Sequence, residues 1–169
     1  MSASPAEAAR RSWLFPLDFA PSGAVELLEL DPAALRREPF HDGRLRGRYR
    51  AAGSLPLAEL DRRRRLERRP RAGALRYVFH HGFALSTLLS RWLDRPGETF
   101  VLREPSILTR LSELQLADPA GFATAHGRRV LAAVVELLRR TEREGEIPVI
   151  KGCDSLTGVI GALLELDAG

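Results

Sequence analysis

The sequence predicts an α/β fold of three layers, in which helices cover both faces of a parallel sheet. Two observations support this prediction. From Leu75 onward, short apolar segments typical of strands alternate with segments whose apolar residues recur at helical spacing. Strands joined by helical crossovers form parallel sheets that are buried on both faces. The chain has 169 residues, 44% of them hydrophobic and 28% charged, which suits a compact domain with a substantial core.

Residues 1–72 are expected to form an N-terminal helical or irregular layer that packs on an α/β core at residues 73–169. Pro, Gly and Arg interrupt the short apolar pieces of the first segment, so its pattern is weak. One short helix is predicted there, over Pro32–Arg37, with Asp31 as its N-cap.

Three strands and four helices are predicted in the core. The strands are Leu75–Phe79, Thr99–Leu102 and Ile147–Lys151. The first helix is Ser86–Asp94, which stops before Pro96 and Gly97, and the second is Ser106–Leu116. The third is a long helix that follows the cap Asp118 and runs from Pro119 to Gly145. The last helix is lined by Leu156, Val159, Ile160 and Leu163.

Composition excludes several classes of protein. No apolar stretch reaches the roughly 20 residues that a membrane helix needs, and the N-terminus lacks an apolar signal core, so we expect a cytoplasmic protein without a membrane span. Cys153 is the single cysteine, which rules out an internal disulfide and a Cys-rich metal site. The Arg-rich run Asp61–Arg71 interleaves acids and leucines, and it predicts a solvated helix face rather than a nucleic-acid patch.

Polar residues follow each predicted strand, and the carboxyl ends of parallel strands meet at one edge of the sheet. Arg103 and Glu104 follow the second strand, and Lys151 ends the third; it is the only lysine among 26 basic residues. Ser86 and Thr87 open the helix after the first strand. Unpaired N–H groups and the helix dipole make that position a seat for phosphate or sulfate.

The residues Phe79-His-His-Gly-Phe-Ala-Leu-Ser-Thr-Leu-Leu-Ser-Arg-Trp-Leu-Asp94, with Pro96-Gly97 and Val101–Pro105, resemble the first half of bacterial sulfotransferase-like proteins. The resemblance extends over about Asp31–Leu166. It implies a sulfotransferase architecture similar to that of the P-loop NTPases, and the donor 3′-phosphoadenosine 5′-phosphosulfate without a metal. By the same resemblance, a cradle for the 5′-phosphosulfate is formed by His81, Gly82, Phe83, Ala84, Leu85, Ser86 and Thr87.

The resemblance also implies catalytic roles at the other two strand ends. Lys151 lies where sulfotransferases place a lysine near the bridging oxygen of the leaving phosphate. No histidine follows it, so Glu104 is expected to remove the acceptor proton, as in members that take the base from a Glu after the second strand. Arg103 is expected to orient Glu104 or to pair with sulfate. The acceptor would be a small molecule or a peptide with a hydroxyl or amine group.

Other interpretations remain open at this stage. In one alternative, Ser86 and Thr87 cap the helix and bind nothing. Arg103 and Glu104 would then be an internal ion pair, and Lys151 would be a residue at the rim of the sheet. Relatives hold the donor's 3′-phosphate with a later strand and helix. We therefore expect either a part of a longer enzyme or a non-catalytic nucleotide-binding or interaction module. A kinase is the weaker alternative, because the loop lacks the Gly-Lys pair of a nucleotide-binding P-loop.

Overall fold

The computed structural model describes residues 13–66, 74–80, 85–152 and 154–168. Over these residues the protein is an α/β fold with two three-stranded sheets, one antiparallel and one parallel. The parallel sheet confirms the α/β class that the sequence predicts. The antiparallel sheet is a feature that the sequence did not indicate.

The antiparallel sheet comes first in the chain and runs β1-β2-β3. Its strands are β1 (Trp13–Phe19), β2 (Val25–Leu30) and β3 (Arg50–Leu55). This segment therefore differs from the helical or irregular layer expected for residues 1–72. In β2, a bulge in the pairing with β3 lies between Leu27 and Leu28 and leaves both leucines buried. It interrupts the alternation of apolar and polar residues by which a strand is recognised in sequence. Pro16 is tolerated within β1 because β1 is an edge strand.

Helical segments connect and follow these strands. They are α1 (Pro32–Arg37), a 3₁₀ turn (Gly43–Leu45) and α2 (Leu57–Leu66). The predicted cap of α1 is confirmed, since the Asp31 carboxylate accepts a hydrogen bond from Ala33 N at 3.0 Å. In α2, Leu60 is buried, whereas Arg62 is exposed and pairs with Glu59, as expected for a solvated helix face.

The parallel sheet has the order β4-β6-β5, so the last strand of the chain inserts between the first two. Its strands are β4 (Arg76–Phe79), β5 (Thr99–Arg103) and β6 (Ile147–Gly152). All three lie within a residue or two of their predicted positions. In the pairing register Phe79 lies opposite Gly152 and Arg103 opposite Lys151, so the three carboxyl ends are adjacent.

The remaining helices are α3 (Ser86–Leu93), α4 (Ser106–Ala117), α5 (Pro119–Ala123), α6 (Ala125–Leu138) and α7 (Ile160–Ala168), with a 3₁₀ turn at Asp154–Leu156. The prediction of one long helix from Pro119 to Gly145 is wrong. It is broken at Thr124, whose backbone is extended and whose side chain accepts a hydrogen bond from Gly127 N, so α6 has a cap of its own.

The two sheets share one hydrophobic core, which also takes in the buried faces of α4, α6 and α7. Helices α4 and α6 both contact β1, which joins the antiparallel sheet to the helices of the α/β unit. Among the residues that the structure describes, none of the helices combines the length and apolar character needed to cross a bilayer.

Candidate active site

The site lies at the carboxyl edge of the parallel sheet, where the ends of β4, β5 and β6 are neighbours. The amide of Glu104 donates to Lys151 O at 2.8 Å, and the amide of His80 donates to Gly152 O at 3.3 Å. These bonds continue the pairing past the ends of β5 and β4. The strands therefore bring His80, Glu104 and Lys151 to one place.

Lys151 and Glu104 are in direct contact, with the ammonium Nζ donating to Glu104 Oε1. The Lys151 side chain is 1% exposed and that of Glu104 is 23% exposed. His80 Nε2 lies 3.4 Å from the same carboxylate oxygen, and Lys151 Nζ lies 5.8 Å from the centre of the Phe40 ring. An ammonium held this far from water acts more strongly on a neighbouring charge than one in solvent.

The backbone is strained at Glu104, which lies at this edge, and at Leu85, which begins α3. Among the described residues, the only non-glycine residues with positive φ are Leu85, at 50°, and Glu104, at 53°. Such conformations cost on the order of 1–3 kcal/mol and concentrate at functional sites. At Glu104 the turn directly follows β5, and it accompanies the contact of the carboxylate with Lys151.

Leu85 is the N-cap of α3 and makes no side-chain capping bond, so the helix start is not closed by its own cap residue. Ser86 is buried and Thr87 half-buried in the first turn. The other residues of the predicted cradle, His81, Gly82, Phe83 and Ala84, lie outside the described residues, as does Cys153.

Arg103 does not join this group, which corrects the role that the sequence suggested for it. Its side chain is 2% exposed and donates to Asp94 Oδ2 at 2.6 Å. It also donates to three carbonyls at the end of α1, those of Leu35, Arg36 and Glu38, at 3.1 to 3.5 Å. Burial lowers the pKa of Arg103 below its ordinary value, and the Asp94 carboxylate opposes that shift. The internal ion pair therefore exists, but its partner is Asp94 rather than Glu104.

Arg36 extends the ion pairs around Asp94. Its guanidinium contacts Asp94, Glu142 and Glu146, and lies 4.7 Å above the centre of the Phe100 ring. Glu146 also accepts from the amide of Gly97 at 2.7 Å. These contacts tie α1, the end of α3 and the segment before β6 together beside β5. Sequence reasoning missed them because the partners are up to 110 residues apart.

His41 is a second buried polar residue that the sequence did not single out. Its Nδ1 accepts from Arg103 N at 2.9 Å, and its Nε2 donates to Leu35 O at 2.9 Å. Burial, partly offset by the Leu35 carbonyl, lowers the pKa of His41 to about 3, so the ring is neutral at physiological pH. His41 therefore anchors the chain against the end of β5.

Glu104 also lines a cavity of about 600 Å³. The antiparallel sheet contributes Asp18 and Phe19 to its wall, and the segment before the first 3₁₀ turn contributes Asp42. Across the residues that the structure describes, no group of three or more His, Cys, Asp or Glu side chains is arranged to hold a metal ion. The site chemistry available is that of a carboxylate and an ammonium in direct contact.

The fold and site define an α/β protein with a small parallel sheet and a Lys–Glu pair at its carboxyl edge. No protein-family model matches the chain, and neither a curated protein nor a solved structure is significantly similar to it.

Proposed function

We propose that the protein is a sulfotransferase that acts in the cytoplasm. Its architecture would have three layers and be similar to that of the P-loop NTPases. The donor is 3′-phosphoadenosine 5′-phosphosulfate, held by the loop between β4 and α3. The acceptor is a small molecule or peptide with a hydroxyl or amine group. By the resemblance, activity also requires a later strand and helix that hold the donor's 3′-phosphate.

The observation that carries this proposal is the pairing of Glu104, at a strained backbone position, with the buried Lys151. A left-handed conformation at a residue other than glycine is retained only where the surroundings hold it. Here it occurs beside a buried ammonium and on the same sheet edge as the end of β4. The resemblance of residues 31–166 to sulfotransferases gives these groups their roles.

The chemistry requires few groups. The acceptor oxygen forms a bond to sulfur while the bond from sulfur to the bridging oxygen breaks, and that oxygen leaves with the electron pair on 3′-phosphoadenosine 5′-phosphate. Glu104 takes the acceptor proton. An ammonium has three donors, so Lys151 can keep its bond to Glu104 and also donate to the bridging oxygen, where negative charge develops. Amides at the start of α3, with Thr87, hold the phosphosulfate.

Donor binding tests the assignment. We expect 3′-phosphoadenosine 5′-phosphate to bind in titration calorimetry, and Thr87→Ala to weaken it about tenfold through loss of a hydrogen bond to a charged group. Thr157→Ala is the control, because Thr157 is an exposed threonine that is not part of the cradle. Absence of binding, or equal affinity of the two variants, would show that the donor does not bind at this site.

Turnover tests the role of Glu104. In the full-length enzyme, Glu104→Gln should lower transfer of labelled sulfuryl to a panel of hydroxyl and amine acceptors about 10²- to 10⁴-fold, because the amide cannot accept the proton. Affinity for 3′-phosphoadenosine 5′-phosphate should be nearly unchanged. Transfer at the normal rate would show that the base lies elsewhere.

A specific feature favours the second candidate, an interaction module without catalysis. Helix α3 buries two small polar residues, Ser86 and Ser90, and exposes its large apolar ones. The exposed residues are Leu85, Leu88, Leu89 and Trp92. Contiguous apolar surface of this kind marks contact sites. A module of this class would show no nucleotide affinity, and it would retain a stable partner in pull-downs that Trp92→Glu abolishes.

A further inference from the structure

The cavity beside Glu104 has the features of a site for a small polar ligand. Its volume of about 600 Å³ lies within the range of small-molecule sites. It is bounded by the end of β1, by the segment that carries Asp42 and by the start of α4. This inference rests on the proposed function: if Glu104 is the base, this cavity is where the acceptor sits. We refer to it as the acceptor cavity.

Carboxylates dominate the charged lining of the acceptor cavity. They are Asp18, Asp42, Glu104 and Glu113, against one lining arginine, Arg110. Each carboxylate has a basic partner, and these are Arg46, Arg44, Lys151 and Arg110 respectively. An ion pair uses only part of the roughly four lone-pair positions of a carboxylate. The partners therefore fix the carboxylates in position. Arg44 occupies both oxygens of Asp42, whereas Asp18, Glu104 and Glu113 keep lone pairs that can accept from a ligand.

Hydroxyl groups supply the neutral part of the lining. Thr109 Oγ1 and Ser155 Oγ lie 3.2 Å apart, at the start of α4 and in the 3₁₀ turn after β6. Ser106 Oγ donates to Leu17 O at 2.6 Å, so toward the cavity it can only accept. The wall is thus rich in acceptors, while Phe19 adds one apolar ring.

We propose that the acceptor is a small saccharide, and that the acceptor cavity favours an amino sugar over an acidic one. Sugar hydroxyls are donors that satisfy the carboxylates, and a sugar C–H face can lie against the ring of Phe19. An ammonium gains from the same carboxylates, because charged donors bind them more strongly than neutral ones. A carboxylate or phosphate on the ligand brings no donor for them and leaves their remaining lone pairs unsatisfied. Sulfuryl transfer is then to a hydroxyl of that sugar, whose proton passes to Glu104 as the bond from sulfur to the bridging oxygen breaks.

The test compares three sugars of one ring size in the absence of nucleotide. We expect chemical-shift titrations with glucosamine, glucose and glucuronate to rank their affinities in that order, with about tenfold between the first and the last. The amides of Thr109 and Ser155 should shift. If no sugar shifts these amides, or if glucuronate binds as tightly as glucosamine, the inference is refuted.

Two variants make the ranking specific. Asp18→Asn should bring the ratio of glucosamine to glucuronate affinity toward one, while preserving the bond that Asp18 Oδ1 accepts from Phe19 N. Glu98→Gln is the control, since Glu98 is an exposed carboxylate outside the cavity lining. An unchanged ratio in Asp18→Asn would overturn the assignment. Because nucleotide is absent, failure of the sugar ranking is distinct from failure of donor binding, which calorimetry reports separately.

Discussion

Replacing Arg103 by methionine tests whether this residue is a structural element rather than a catalytic one. Methionine has similar length and no donors. The variant loses the ion pair with Asp94 and leaves the carbonyls of Arg36 and Glu38 without the bonds they accept at 3.1 Å. Leu35 O still accepts from His41. Breaking a buried pair by removing one partner costs about 3–5 kcal/mol. Because Asp94 retains its contact with Arg36, we expect the free energy of unfolding to fall by about 3 kcal/mol, at the lower end of this range.

Urea unfolding measures this loss. With a slope of about 2 kcal/mol per M for a small domain, the midpoint should fall by about 1–2 M. The control is Arg95→Met, because Arg95 is 69% exposed and lies 3.5 Å from an equally exposed Glu98. A surface change of this kind stays within about 0.5 kcal/mol. If the two variants have the same midpoint, Arg103 does not stabilise the fold as its contacts imply, and a role at the site regains support.

Two further predictions concern stability. Because the folded pKa of His41, about 3, is below the unfolded value near 6.5, its contribution is complete above pH 6.5 and is lost as pH falls toward 3. At about 1.4 kcal/mol per pH unit, roughly 3 kcal/mol of stability is lost between pH 7 and pH 4. In urea unfolding, His41→Gln should flatten this pH dependence, whereas replacing the exposed His126 by Gln should not. Parallel pH profiles of the two variants would contradict the role of His41. Gly127→Ala should destabilise by about 1–3 kcal/mol, since a Cβ there would lie 2.3 Å from the backbone oxygen of Phe122. Gly161→Ala, also in a helix but with open space, should be neutral or stabilising by up to about 1 kcal/mol, and similar thermal midpoints for the two would count against this packing.

The elements found from sequence are those whose local pattern is strong. Strands β4, β5 and β6 are apolar runs between helix stops and starts, and Asp31 and Asp118 carry their capping preference within three residues of chain. In α6, Leu131, Val134 and Leu138 recur at helical spacing, and all three are buried. Such signals arise from neighbours in the chain, so they require no knowledge of the fold.

The elements that were missed depend on partners far along the chain. Strand β2 has the sequence Val-Glu-Leu-Leu-Glu-Leu, whose alternation changes phase at Leu27 and Leu28, and only the pairing with β3 shows that the change is a bulge. The break between α5 and α6 depends on Thr124 capping the second helix, and Thr is also common inside helices. A local pattern cannot distinguish these cases.

The candidate site divides in the same way. The sequence by itself determined that His80, Glu104 and Lys151 follow parallel strands, because strand order and helical crossovers place carboxyl ends on one edge. Only the tertiary structure decided which of these side chains meet. Glu104 turns through a left-handed conformation to Lys151, while Arg103, one residue earlier, enters the protein interior toward Asp94. The left-handed turn at Glu104 ends the regular alternation of the strand, and the groups that each side chain then meets are supplied by segments distant in sequence.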